Sequence, residues 1–128
     1  MPTLDDAIRS DLANAGLTFG ARVYFHKSPE RPTEPYVTFQ LIDVDPLETQ
    51  QGPPTLRRRL YQFSAFSQYQ SAALAAVDEV RARYDGYRGT LAGVDVRAML
   101  LIGQRMFYED DTKLFNAQVD LRIQYVPA

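Results

Sequence analysis

The chain has 128 residues, 45% of them hydrophobic, with 14 lysines and arginines against 16 aspartates and glutamates, for a formal net charge of −2. That length and composition describe a folded globular chain able to bury a core without staples, and the near-neutral charge argues against a protein whose main task is gripping phosphate backbones. The absence of cysteine excludes disulfides, thiolate metal sites and cysteine nucleophiles; with a polar, acidic start and no run near the roughly 18 apolar residues of a membrane span, the expectation is a soluble protein made in a cytoplasm.

Thr3 followed by Asp6 resembles a capping arrangement, and Leu4, Ala7, Ile8, Leu12 and Ala15 recur at helical spacing until Asn14 and Gly16 stop the run. The spacing predicts a helix from Leu4 to Ala15. Ala21 to Lys27 is short and rich in β-branched and aromatic residues, which predicts a strand, and the three prolines of SPERPTEP predict a stiff loop after it. Tyr36 to Val44 predicts a second strand, with Val37, Phe39 and Leu41 on one side. Asp45 to Thr55 is too polar and too rich in proline and glycine for anything but a long loop, a kind of segment usually kept for function or partner contact.

Leu56 to Ser67 returns as a strand, with Tyr61, Phe63 and Ala65 alternating against Leu60, Gln62 and Ser64. Ser67 and Gln70 read as a capping box, opening a helix of about 17 residues whose apolar face carries Tyr69, Ala73, Ala76, Val77, Val80 and Tyr84. Its alanines allow close approach to the apolar side of a sheet. A short strand to about Ala92, a turn at Ala92-Gly93 and a long strand from Val94 follow, with Val94, Val96, Ala98, Leu100 and Ile102 on one side and Gly103 marking a bulge or bend.

After the acidic turn EDDTK, the run Lys113 to Val126 alternates almost without defect: Phe115, Ala117, Val119, Leu121, Ile123 and Tyr125 on one side, Asn116, Gln118, Asp120, Arg122 and Gln124 on the other. Such a strand needs a sheet beside it, an apolar layer on one face, and water or a polar partner on the other. The order α-β-β-β-α-β-β-β with short or hairpin connections predicts one α+β domain over residues 1–128, a largely antiparallel sheet packed by the N-terminal and central helices.

The residues offer little catalytic chemistry. His26, the one histidine, has no Ser elbow, HExxH or EF-hand pattern around it, so a structural residue is favoured over a base or ligand. The glycines of DGYRGTLAG precede a strand rather than opening a helix and read as turn residues, not a phosphate loop. Glu109, Asp110 and Asp111 lack the alternating spacing of a calcium loop and read as a solvated turn. Arg57, Arg58 and Arg59, followed by Tyr61 and Phe63, are the feature closest to a binding patch, although a strand directs Arg57 and Arg59 one way and Arg58 the other. Contact with a neighbouring subunit and contact with DNA are both open on the residues alone.

The chain also resembles the phage tail completion proteins, called tail terminators or tail-to-head joining proteins, of long-tailed bacteriophages and related prophage elements. The likeness spans nearly the whole chain: the N-terminal helix, the proline-containing loop entering PYVTFQ (Pro35 to Gln40), the helix Gln68 to Tyr84, GYRGTLAGV (Gly86 to Val94) and YEDDTKLFNAQVDLRIQY (Tyr108 to Tyr125). These are scaffold motifs, and their order carries the resemblance. It implies a non-enzymatic virion protein without cofactors. Such a protein forms a homohexameric ring on the tail tube, stops tail growth and offers the head-joining surface. The implied partners are the chain itself, the tail tube protein and a head or neck connector; DNA would be met only in passage through the channel, and no membrane is involved. The implied location is the virion tail, with assembly in the host cytoplasm.

On that resemblance, the contact residues would be Arg57, Arg58 and Arg59, the loop residues Glu48, Gln50 and Gln51, and Asn116, Gln118, Asp120 and Arg122 on the polar side of the last strand. A lumen that releases passing DNA favours a neutral or acidic lining, so the arginines are assigned to protein contact. The rivals are a neck or head-closure connector, a small nucleic-acid-binding adaptor using Arg57 to Arg59, and an enzyme or small-molecule module using His26.

Overall fold

The computed structural model describes residues 3–26, 33–44 and 56–126. Two helices and six strands follow one another in the predicted order: α1 Leu4–Ala13, β1 Val23–Phe25, β2 Tyr36–Val44, β3 Arg57–Ser67, α2 Gln70–Tyr84, β4 Gly89–Leu91, β5 Val94–Glu109 and β6 Leu114–Val126. The chain is an α+β fold built on one six-stranded sheet in the order β1-β2-β3-β6-β5-β4. The predicted loop Asp45 to Thr55 lies outside the described residues, as does most of SPERPTEP.

The cap on α1 forms as its residues require: Thr3 Oγ1 accepts the Asp6 N–H at 3.1 Å. The helix stops at Ala13 rather than Ala15: Asn14 leaves the helical region at φ −103°, ψ 4°, its side-chain amide donates to the Ser10 carbonyl at 2.8 Å, and the Ala15 N–H falls on Leu12, three residues back, instead of on Asp11. Leu4, Ala7, Ile8 and Leu12 are buried. The connection to β1 adds a core residue that no periodicity marks, since Phe19 is fully buried within a run of turns.

β6 lies between β3 and β5 and pairs antiparallel with both over nearly its whole length. Its Ala117, Val119, Leu121 and Ile123 are fully buried, beside Phe63, Tyr61 and Ala65 of β3. α2 packs over β3, β6 and β5, with Ala73, Ala76, Val77, Val80 and Tyr84 against the sheet. Phe39 stacks on Phe63 at a ring separation of 5.6 Å, and Tyr84 packs tilted against Phe63 at 6.0 Å. Full burial of each such aromatic contributes about 2–3 kcal/mol, so this seam holds the helix on the sheet.

Three local features differ from the sequence reading. First, the Ser67–Gln70 capping box does not form. Ser67 remains in β3, its Oγ accepts the Tyr69 N–H at 3.1 Å, and α2 starts at Gln70 with no side-chain cap. Second, β1 pairs parallel with β2, a parallel pair in an otherwise antiparallel sheet, while β2 and β3 pair antiparallel. Third, β5 does not keep one alternation. Register shifts between Val96 and Ala98 and between Leu101 and Gly103 reset its faces. Val94 and Val96 are buried, but Met99 rather than Ala98 continues the core, while Leu100 and Ile102 are about half exposed.

The remaining turns follow the sequence. Leu91 pairs with Val94, leaving Ala92-Gly93 as a two-residue hairpin loop in which both residues have positive φ, 44° and 93°. Among the described residues no helix is long and apolar enough to cross a membrane.

Candidate interaction face

Both helices cover the same side of the sheet, and the opposite side carries the chain's polar alternates. Across β2, β3 and β6 a ladder of amides crosses this outer face: Gln40 Nε2 donates to Gln62 Oε1 at 3.0 Å, and Gln62 Nε2 donates to Gln118 Oε1 at 3.3 Å. Next to it Arg105 of β5 donates to the Asp120 carboxylate at 3.0 Å. Each of these side chains is paired across strands, which orders the face without removing its hydrogen-bonding capacity.

The register places Asn116, Gln118, Asp120 and Arg122 together on this face, opposite Phe66, Ser64, Gln62 and Leu60 of β3. Their environments differ. Arg122 is exposed and Gln118 and Asp120 are half-buried, whereas Asn116 retains 4% exposure. The Asn116 amide donates to Glu109 at 3.4 Å, and its Oδ1 is buried with no hydrogen-bond partner. Aromatic rings sit at this end of the face. Tyr36 stacks on Phe66 at 5.0 Å, and Phe107, the cross-strand partner of Asn116, is 44% exposed.

The three arginines separate as strand geometry demands. Arg58 pairs with Gln124 and belongs to the polar face; Arg57 and Arg59 pair with Tyr125 and Ile123 and lie on the helix side. The Arg59 guanidinium stands over the Tyr125 ring, 5.7 Å from its centroid, and also bears on the Tyr61 phenol. Tyr61 donates to Asp5 of α1. Burial, and then the Asp5 carboxylate, push the Tyr61 phenol well above its ordinary value. Arg59 is thereby tied into the layer between α1 and the sheet. Glu48, Gln50 and Gln51 lie outside the described residues.

The other candidates have plain structural settings. His26 is exposed at the end of β1 with φ 64°, its backbone N–H donating to the Phe39 carbonyl and its ring 4.0 Å from that of Phe25. Glu109 closes the acidic turn by accepting from the Thr112 hydroxyl at 3.0 Å, while Lys113 takes φ 59°. Gly86, Gly89 and Gly93 have positive φ at turns and strand ends, as expected for punctuation rather than a phosphate cradle. Among the described residues no group of three or more His, Cys, Asp or Glu side chains is placed to hold a metal ion.

The sequence reading set Gln62 on the side of its strand opposite the core residues but named none of Gln40, Gln62 and Arg105 as a contact residue. The signal for the first two was their position opposite core residues in strands of known alternation. Arg105 falls on this face because the two register shifts in β5 cancel and restore the alternation that starts at Val94.

The sequence model of one family, tail completion protein gp17, matches residues 4–125. No curated protein is a match in sequence. Among solved structures, a chain from the virion of a native gene transfer agent (GTA) particle is 13% identical with a TM-score of 0.68, the alignment covering 98% of this chain and 99% of that one. A second solved chain is 15% identical with a TM-score of 0.57, covering 99% of this chain and 97% of that one. At these identities the likeness to the two structures is one of fold.

Proposed function

Because the chain belongs to the tail completion protein gp17 family, we propose that it is a tail terminator, which caps the tail tube as a homohexameric ring, stops tail elongation and provides the head-joining surface. The observation that carries this reading is the extent of the family match, residues 4–125, which takes in every described strand but the last residue of β6 and both helices. The same fold in a chain of a gene transfer agent virion supports a place in a phage-like particle. The reading is of a structural, non-enzymatic role, in the virion tail after assembly in the host cytoplasm.

A ring requires two dissimilar patches on each subunit, since head-to-tail contacts that close make a cycle. The paired polar side of the sheet and the helix side supply unlike surfaces. In this reading Gln118, Asp120 and Arg122, with Arg58 beside them and Asn116 buried beneath this face, meet the neighbouring subunit, the tube or the channel. The partners are further copies of the chain, the tail tube protein and a head or neck connector; DNA is met only in passage. A net charge of −2 suits a channel that must release DNA. A nucleic-acid adaptor built on Arg57 to Arg59 is disfavoured by the division of those arginines between two sides of the sheet.

Isolated tail tubes lacking a terminator provide the test. The chain should bind only at the tube end and stop further addition of tube protein. Binding to the head connector in preference to the tube would replace this reading with that of a head-closure protein.

A further inference from the structure

β5 is longer than anything that covers its outer edge. It runs from Val94 to Glu109, but its outer neighbour β4 pairs only with Val94–Val96. The end of α2 serves the next stretch: the Gly86 N–H donates to the Met99 carbonyl at 2.9 Å, and the Leu101 N–H donates to the Asp85 carboxylate at 3.3 Å. Among the described residues, no strand continues this cover from Gly103 to Tyr108.

The direction of the backbone along that stretch follows from the ladder. Met99 and Leu101 turn their polar groups outward; after the register shift at Ile102, Gln104, Met106 and Tyr108 take the outward positions. The sequence there is Gly-Gln-Arg-Met-Phe-Tyr, with no proline and no lysine. Its one charge, Arg105, is paired with Asp120 on the face of the sheet rather than guarding the edge. Phe107 and Tyr108 flank the edge on opposite faces, 44% and 46% exposed. Stable folds do not leave an edge of this kind undefended, because its free N–H and C=O groups recruit another strand.

The other end of the same sheet offers a complement. β1 closes the sheet in the rows where β5 is open, as three cross-sheet rows show: Val23–Val37–Ala65–Ala117–Met106, Tyr24–Thr38–Ser64–Gln118–Arg105 and Phe25–Phe39–Phe63–Val119–Gln104. Arg22 and His26 make their backbone bonds to β2, so Val23 and Phe25 between them turn outward; the Val23 N–H is taken by the Ala21 carbonyl at 2.9 Å, which leaves the Val23 carbonyl and Phe25 to a partner strand. β1 is parallel to β2, which makes it antiparallel to β5. Rotation about an axis near the strand direction preserves that relation between copies.

We infer that the open half of β5, Gly103–Tyr108, receives β1 of a second copy of this chain as an antiparallel strand, joining the sheets of neighbouring subunits edge to edge. The contact is heterologous, one edge against a different edge, as a closed ring of more than two subunits requires. It deepens the ring reading and rests on it. The occupant is a second copy because the apolar, outward-turned and correctly directed edge is the chain's own.

The natural absence of cysteine makes the test clean. A Tyr24→Cys variant is mixed under oxidising conditions with Gly103→Cys, Arg105→Cys or Phe107→Cys, the outer-face positions that span register shifts in either direction. A covalent dimer in at least one mixture, and not in either variant alone, is the expected result. Met106→Pro, which removes an outward N–H while leaving the β6 ladder intact, should keep the folded spectrum and lose ring mass. Should that variant fail to fold, the cysteine mixtures decide alone. Ring mass in the unmodified chain with no cross-link in any mixture overturns edge pairing and leaves the ring standing. Absence of any assembly, in solution or on tail tubes, overturns both.

Discussion

Asp11 of α1 holds Arg83 of α2 by two hydrogen bonds, at 2.7 and 2.8 Å, and the same carboxylate accepts the buried Tyr84 hydroxyl at 2.6 Å. One carboxylate thus fastens the two helices to each other above the core. Burial works to raise its pKa, but hydrogen bonds from Arg83 and Tyr84, with the Arg83 charge, outweigh it and leave Asp11 below the ordinary 3.8. Because the folded value is the lower one, the resulting stabilisation is complete above about pH 4 and is lost as pH falls through the folded value. Asp11→Asn should cost about 1–3 kcal/mol at neutral pH and flatten the acid limb of stability, measured by urea unfolding across pH.

The alkaline limb has its own cause. Burial first, then the neighbouring carboxylates of Asp5 and Asp11, hold the Tyr61 and Tyr84 phenols above their ordinary value of 10.0. A group raised in the folded state stabilises fully below its unfolded pKa, so stability should fall as pH rises beyond about 10. Tyr84→Phe should remove part of that fall, and unchanged alkaline unfolding in this variant would contradict the assignment.

Ala92 occupies a two-residue turn with φ 44°, where a Cβ is unfavourable and asparagine is preferred. Ala92→Asn is expected to raise unfolding free energy by about 0.5–1 kcal/mol, since the side chain is exposed and nothing else is lost. Thermal unfolding reads this directly.

Arg58 and Arg59 separate assembly from stability. Arg59→Ser removes the guanidinium from over Tyr125 and should cost about 0.5–2 kcal/mol of stability. Arg58→Ser, on the polar face, should weaken ring formation or tube attachment at protein concentrations and temperatures where the variant remains folded. Intact assembly in Arg58→Ser would remove that residue from the contact surface.

Phe63 carries the seam between sheet and helix, stacked on Phe39 and packed against Tyr84. Phe63→Ala should destabilise by about 3–5 kcal/mol, seen as a lower urea midpoint.

Much of this fold is legible in the chain because β3 and β6, the middle of the sheet, alternate without interruption. β6 declares its faces from Phe115 to Tyr125, and α2 declares its buried stripe from Ala73 to Tyr84. Illegible features depend on single added residues or on distant partners. The shift near Arg97 reverses which of Ala98 and Met99 points inward, and the shift near Ile102 restores the first alternation, although Ala98 to Ile102 is apolar throughout. The parallel docking of β1 depends on β2, not on the composition of either strand. Ser67 has the residue type of a cap, but pairing with Phe115 keeps it in the sheet. Of the polar face, the β6 half was readable from alternation alone. The amide ladder needed the register between three strands.

The most direct test of the central claim is molar mass in solution by light scattering over a wide concentration range at moderate salt, with isolated tail tubes as template for any material that stays monomeric. A closed ring predicts a rise to the hexamer mass and no further, in solution or at the tube end. Unlimited growth with concentration, or a monomer that tail tubes fail to capture, would contradict it.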